Sequence, residues 1–483
     1  MFGSINSTMI LAILPEILIL VLAAFVLLFD AIWSEDRSRN LGWLTAGGLL
    51  LTMVLSLAIA SPRGESALVW GGMLRYDWLG MVFKMLFIFG AGITALFAME
   101  VENLGKRGEF YLLLLVATLG MSLMASSADL IMLYLAVETT SIPMYVLAGF
   151  FKRDEKSTEA GFKYLLFGAM ASALMLYGFS LLFGFSGVTS LADLAAVIGS
   201  GGLNTAVMLT SMLLVLVGFS FKISVVPFHF WAPDVYEGAP TPIAGFLSTA
   251  SKAAGFAVLV RVFLVAFPTI STQWTMLIAV IATISMTLGN AIALAQKNIK
   301  RMLAYSSIAH AGYILVGLVA FSDLGLTSVV FYLIAYLFTN LAAFGVIVAV
   351  WRTTRSDEID DYDALSRRAP TLAIAMLVAF LSLAGMPPFG GFMAKVLVFA
   401  AAVEAGWIWL AFVGVLNSIV GLYYYLVVLK HVYLHRSESE DIPIPVTRPY
   451  RLALTVLSVG IILLGAFFGP WFNWTSMAAK ALF

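Results

Sequence analysis

Cysteine is absent from this 483-residue chain, and charge is scarce: Asp, Glu, Lys and Arg make up 11% of it. Soluble domains carry about 25% charged residues. Without thiols there are no disulfides and no thiolate-held iron–sulfur cluster. Only four histidines are present, too few for a multi-haem or multi-metal protein. No Walker-type or GxGxxG stretch follows a strand-like run, so nucleotide binding has no support. The opening MFGSINSTMI lacks a basic region and a small-residue cleavage site, so the first helix is expected to be retained. What fills the chain is apolar: 61% of residues are hydrophobic. That is the composition of an integral membrane protein.

A span needs about 20 apolar residues. Fourteen are predicted, near 9–30, 41–60, 78–99, 109–127, 129–150, 159–185, 206–229, 240–266, 274–296, 301–320, 325–351, 371–400, 405–434 and 450–473. The stretch 188–200 is short and amphipathic, and reads as an interfacial helix. Alternate loops hold Arg37 and Arg39; Lys106 and Arg107; Lys152, Arg153 and Lys156; Lys297, Lys300 and Arg301; Arg352, Arg355, Arg367 and Arg368; and Lys430, Arg436, Arg448 and Arg451. The opposite loops hold only Arg63, Arg75 and Lys480. The positive-inside rule puts the first set in the cytoplasm and both termini outside.

The expected class is all-α and polytopic, with two inverted five-helix repeats containing broken helices. Three helices fill 1–105, the first repeat 106–267 and the second 268–436. A cytoplasmic loop and a last helix fill 437–483. An odd number of helices per unit inverts the second relative to the first. The fourth helix of each unit carries a Pro-Phe break, Pro227-Phe228 and Pro388-Phe389, with a lysine nearby. Lys252 and Asn417 take corresponding places in the fifth helices.

Four charged residues lie deep in the spans: Glu138, Lys222, Lys252 and Lys395. Each costs about 2.5–3.5 kcal/mol at the bilayer centre, so a row of them calls for a reason. Glu138 is followed by Pro143, which frees the carbonyl of Thr139. Freed backbone at membrane depth is tolerated only beside protein or water. Glu138 reads as a partner that modulates a lysine's proton affinity; a structural ion pair is the plainer alternative. Lys222 precedes Pro227, and snorkelling to the surface is its plainer alternative. Lys252 sits mid-span among Ser248, Thr249, Ser251 and Gly255, which leave room for water. Lys395 follows Pro387 and Pro388 in SLAGMPPFGGFMAK. Together these titratable groups point to proton movement; inert lysines in a scaffold are the rival.

Lys163 forms an i,i+4 pair with Glu159, half-expected to be merely solvated. His229 and His310 are candidate proton relays, or satisfied core histidines. Asp234 and Glu237 are expected in a loop. Glu16 is expected to face a neighbour or a cavity, and Lys84 and Arg261 to be interfacial anchors. His431 and His435 read as surface histidines rather than metal ligands. The acidic run Asp357–Asp363 reads as a solvated or docking loop. No metal or bound cofactor is expected on this chain.

PFHFWAPDVYEGAPTPI at 227–243, KNIKRMLAYSSIAHAGYILVG at 297–317 and SLAGMPPFGGFMAK at 382–395 resemble the antiporter-like membrane subunits of respiratory complex I. The first stretch looks like one branch of that family in particular. The resemblance implies 14 helices with inverted repeats. It implies proton translocation through Glu138, Lys222, Lys252 and Lys395, driven by electron transfer from NADH to quinone in other subunits. NADH, FMN, iron–sulfur clusters and quinone are then expected elsewhere in the complex. Partners would be a neighbouring antiporter-like subunit, small membrane subunits and lipids, with no nucleic acid. The location would be a bacterial plasma membrane, with a mitochondrial inner membrane as the other option. The alternative function is a subunit of a multi-subunit sodium/proton antiporter.

Overall fold

The computed structural model describes residues 6–34, 38–64, 66–437 and 442–482. Arg37 and part of the expected loop 435–449 therefore lie outside the described residues. Thirteen helices among the described residues are long and apolar enough to cross a membrane. Each matches a predicted span within a few residues. The predicted interfacial helix is Leu191–Gly199. Two further elements were not predicted: a last helix, Phe468–Lys480, which follows where the span expected at 450–473 ends early at Ala466, and a small antiparallel hairpin, Ala67–Val69 with Leu74–Tyr76, turned through Gly71 and Gly72 at positive φ. Its strands are three residues each, too short to register as a periodic pattern.

The predicted stretch 371–400 is not one helix. It is two 15-residue helices, Pro370–Ala384 and Gly390–Glu404. At 1.5 Å per residue each is about 22 Å long, short of the roughly 30 Å hydrocarbon core. The two breaks use the same devices. Thr205–Ile223 is capped by Ser224 in the left-handed region, and a cis Val226–Pro227 bond follows. Pro370–Ala384 is capped by left-handed Gly385, and a cis Pro387–Pro388 bond follows. Glycine suits the second position twice over. Its φ is +84°, and a Cβ there would lie 2.8 Å from the Lys395 side chain. The segment after the first break is not the expected loop: Asp234 and Glu237 sit on a short helix, Trp231–Gly238.

Thr241–Ala266, Ile299–Val319 and Asp323–Thr354 are each 94% buried, whereas Asn40–Ile59 is 28% buried. The three inner helices are walled by protein all round, so polar side chains on them escape lipid. Thr241–Ala266 is itself irregular, with π-helical turns at Leu247–Ser251 and Val262–Ala266. Such turns recur at functional sites.

Two expected anchors are buried pairs instead. The Arg261 guanidinium donates to both oxygens of Asp77, at 2.9 and 2.6 Å, and to the carbonyl of Ala125. Asp77 also caps Trp78–Ala98 through Gly80 N and lies 3.3 Å from Arg75. Lys84 pairs with Glu16 at 2.8 Å and donates to the Ala12 carbonyl, while Ser122 donates to the same Glu16. Trp78–Ala98 is 89% buried, so its polar positions meet other helices and not the membrane interface. Removing one partner of a buried pair costs about 3–5 kcal/mol, because the other charge stays buried. Arg75 can still reach Asp77, so Arg261→Met should fall near the lower end. A lowered thermal unfolding midpoint in detergent checks this; an unchanged midpoint would refute it.

Candidate functional site: a buried row of lysines

Lys222 occupies the last turn of Thr205–Ile223 and is buried. Its Nζ donates to Ser141 Oγ at 3.1 Å. Ser141 lies one turn beyond Glu138 on Leu130–Ala148, the helix that carries Pro143. Glu138 is only half-buried, and its carboxylate accepts from Ser172 on Glu155–Ser186. The expected direct contact between Glu138 and Lys222 is therefore not made: no ion pair joins them within 4 Å. Lys222 meets Ser141 instead, beside a cavity of about 20 Å³ whose lining includes Ser141, Ser172 and Lys222. That volume admits one water.

Lys252 begins the regular turns after the π-helical stretch and is 1% exposed. Its Nζ donates to the Ser307 carbonyl at 2.8 Å and to Ser307 Oγ at 2.5 Å. Ser307 opens a polar stripe on Ile299–Val319. Ser306 bonds the Tyr425 hydroxyl at 2.5 Å, and His310 Nε2 bonds the same hydroxyl at 3.2 Å. His310 Nδ1 meets Tyr332 at 2.8 Å. Tyr313, a turn further on, lies under Lys395 Nζ at 5.0 Å from the ring centroid. Lys395 donates to the Ala384 carbonyl at 3.0 Å, a group near the helix break. One helix thus connects the surroundings of Lys252 to those of Lys395. Asn340 donates to Ser248 and Tyr336 alongside. Asn290 donates to Tyr313 and to the carbonyl of Asn417.

Lys252 and Lys395 face only neutral acceptors within hydrogen-bond reach. A neutral amine can donate to the same oxygens, so losing a proton breaks none of these hydrogen bonds. Sequence reasoning missed Ser141, Ser172, Ser307, Tyr313, Tyr332 and Tyr425. The stripe in SSIAHAGY was the signal for two of them: Ser307 and Tyr313 flank the candidate His310, recurring every three residues on an otherwise apolar helix.

Lys163 and His229 are not in this row. Lys163 Nζ binds Asp234 at 2.5 Å and Glu159 at 2.6 Å. Arg301 reaches both Asp234 and Glu237, at 2.7 and 2.9 Å, and Lys156 reaches Glu237 at 2.9 Å. This cluster staples the Trp231–Gly238 helix to its neighbours. His229 is buried beside it, and its Nδ1 has no protein partner. His431 and His435 are not free surface histidines either. Both Nδ1 atoms lie on one oxygen of Asp363, at 2.7 and 3.3 Å. Those three residues are close enough to hold a metal ion; they sit apart from the lysine row.

Residues 127–421 match the family described as NADH:quinone oxidoreductase/Mrp antiporter, transmembrane region. The chain belongs to that family. It is 42% identical to NADH-quinone oxidoreductase subunit N of Moorella thermoacetica over 470 residues, covering 97% of this chain and 98% of that one. It is 41% identical to the subunit N of Trichlorobacter lovleyi, covering 96% and 95%. Among solved structures, a chain of respiratory complex I from Thermus thermophilus aligns with TM-score 0.79 at 34% identity, covering 95% and 98%. A chain of the Mrp complex from Dietzia sp. aligns with TM-score 0.85 at 21% identity, covering 99% and 98%, which speaks for the fold alone.

Burial pushes the Asp234 and Glu237 carboxyls up, but hydrogen bonds from Lys163, Lys156 and Arg301 outweigh it and hold both below their ordinary values. A depressed carboxylate stabilises above its unfolded pKa and loses that contribution as pH falls through the folded one. The staple should therefore hold through neutral pH and loosen only below the ordinary values of 3.8 and 4.5. Amide exchange of residues 231–238 should rise in that acid range. Loosening already near pH 7 would contradict the assignment.

Proposed function

We propose that this chain moves protons across the membrane as a subunit of the membrane arm of an NADH:quinone oxidoreductase, with electron transfer carried out by other subunits. The observation that carries the reading is the row of polar groups along Ile299–Val319: Lys252 donates to Ser307, Ser306 and His310 share the Tyr425 hydroxyl, and Tyr313 lies under Lys395. The relatives at about 40% identity bear the name of that oxidoreductase's subunit N, which favours this reading over sodium/proton antiport.

In this scheme Glu138 and Lys222 form the input. Moving the carboxylate relative to the ammonium changes the lysine's proton affinity. The water-sized cavity at Ser141 and Ser172 lets a proton pass without the two groups touching. Lys222 gives its proton to water and Lys252 takes one. Lys252 is restored through the next transfer, and Lys395 releases a proton to the outer side. His310 and Tyr425 are the relays between. Lys163 and His229 instead hold and line the mouth beside the first break. One charge moved against 100 mV costs about 2.3 kcal/mol. A hundredfold change in one lysine's proton affinity is worth about 2.7 kcal/mol, so one such switch has the needed size.

The two short helices around Pro387 and Pro388 cross the membrane together in this reading, which makes fourteen crossings and two inverted units. The shared left-handed cap ahead of a proline at each break supports the repeat. The basic loops support a reading with both termini outside a bacterial plasma membrane. NADH, FMN, iron–sulfur clusters and quinone belong to partner subunits.

NADH-driven proton pumping in membranes carrying Lys252→Ala is the test, with quinone reduction and a native gel run in parallel. The expected result is an assembled complex whose pumping and coupled turnover fall sharply. Normal pumping in both Lys252→Ala and Glu138→Ala would defeat the scheme. Tyr425→Phe removes the hydroxyl shared by Ser306 and His310 while keeping the ring. It should slow pumping severalfold without loss of assembly; an unchanged rate would remove Tyr425 from the path.

A further inference from the structure

Away from the lysine row, an apolar cleft of about 260 Å³ runs between Asn40–Ile59, Trp78–Ala98 and Arg448–Ala466. It opens outward: its wall residues Trp43, Leu50 and Val456 are exposed. Gly47 lines it, and a Cβ built there would meet nothing within 4 Å. At the Arg448 end, Trp43 separates the cleft from a second cavity of about 410 Å³ and lines both. Arg39, Thr447, Arg448 and Glu100 border this mouth.

The mouth is built for an anion. Glu100 is already neutralised by Arg39 and by Arg352, the latter at 3.1 Å. Arg448 is exposed and makes no hydrogen bond or ion pair with the described residues. It opens a 19-residue helix that has no side-chain cap. Thr447 Oγ1, beside it, is buried without a partner. Pro449 removes one donor from the helix start, which leaves the N–H groups of Arg448 and Tyr450 to act with the arginine side chain in attracting a phosphate. A soluble phosphate would leave the adjoining cleft unfilled. A helix of another protein does not fit: one turn, about 10 Å across and 5.4 Å tall, needs on the order of 400 Å³. A flexible hydrocarbon chain does.

We propose that the two cavities bind one diacyl glycerophospholipid with an anionic headgroup. Its phosphate sits at Arg448 and the helix start, and one acyl chain lies in the cleft beside Gly47. Basic pockets between membrane helices bind such headgroups. The lipid seals the seam between the leading helices and Arg448–Ala466, and it does so whether or not the lysine row moves protons.

The test uses solubilised native membranes and phosphatidylglycerol with a photoreactive diazirine in its acyl chain, followed by peptide mapping. Label is expected on residues 43–53 and 452–456. Gly47→Trp fills the cleft at a position where no atom stands in the way, and should abolish that label. Arg448→Glu, at an exposed site that spares the fold, should weaken labelling about tenfold, the worth of one charge-assisted hydrogen bond. A phosphatidylcholine probe should label weakly in both. Inorganic phosphate at millimolar concentration, lacking chains, should not compete. The proposal is overturned if both variants label like the unaltered chain, if phosphate alone displaces the lipid, or if the label lands on an adjoining protein that covers the cleft.

Discussion

Inside a hydrocarbon layer, a backbone or side-chain polar group must find its partner within the protein or in enclosed water. The architecture follows from that requirement. Three helices, Thr241–Ala266, Ile299–Val319 and Asp323–Thr354, are almost wholly buried by the rest. Only because the outer helices keep lipid away can the inner ones carry lysine, histidine, serine and tyrosine. The breaks at Pro227 and Pro388 obey the same rule. Each frees backbone carbonyls, and each lies beside a lysine that needs oxygen atoms. At the second break the match is direct, because Lys395 donates to the Ala384 carbonyl.

The buried charges divide by their surroundings. Arg261 with Asp77 and Lys84 with Glu16 are ion pairs, with further hydrogen bonds to backbone or serine. Each tie joins two helices or a helix and its neighbour, which suits structure. Lys252 and Lys395 meet hydroxyls, carbonyls and a tyrosine ring instead. No counter-charge within reach fixes their protonation state, which suits transfer. The same residue type therefore meets two kinds of partner in one chain, and the proposed function assigns transfer to the lysines without a counter-charge.

That division also marks where the sequence could be read and where it could not. The spans, both breaks and the deep lysines are visible as apolar length, Pro-Gly clusters and isolated charges, each a property of consecutive residues. Lys84 and Arg261 were misjudged as anchors because their position along a span says nothing of the helix facing them. Asp77 lies far from Arg261 in the chain, and nothing local links them. Glu138 and Lys222 were read as partners, yet Lys222 meets Ser141, whose hydroxyl donates to the Val137 carbonyl and not to Glu138, a rotational detail of Leu130–Ala148. Tyr332 and Tyr425 come from separate helices and could not be chosen among seventeen tyrosines without the fold. The stripe on Ile299–Val319 was legible, since its members share one helix face.

The lack of direct contact between Glu138 and Lys222 bears on how coupling can work. A direct ion pair at hydrogen-bond distance would hold the lysine proton tightly, and separating the charges in a low-dielectric interior would cost more than one proton step can supply. Without direct contact the attraction is weaker and its change on a small movement is smaller. The Coulomb term varies as the inverse of distance, so an ångström of motion counts for less at longer range. In the proposed scheme a modest shift of Leu130–Ala148 would then tune the lysine instead of locking it. Pro143 favours such a shift, because it leaves the helix one internal hydrogen bond short next to Glu138.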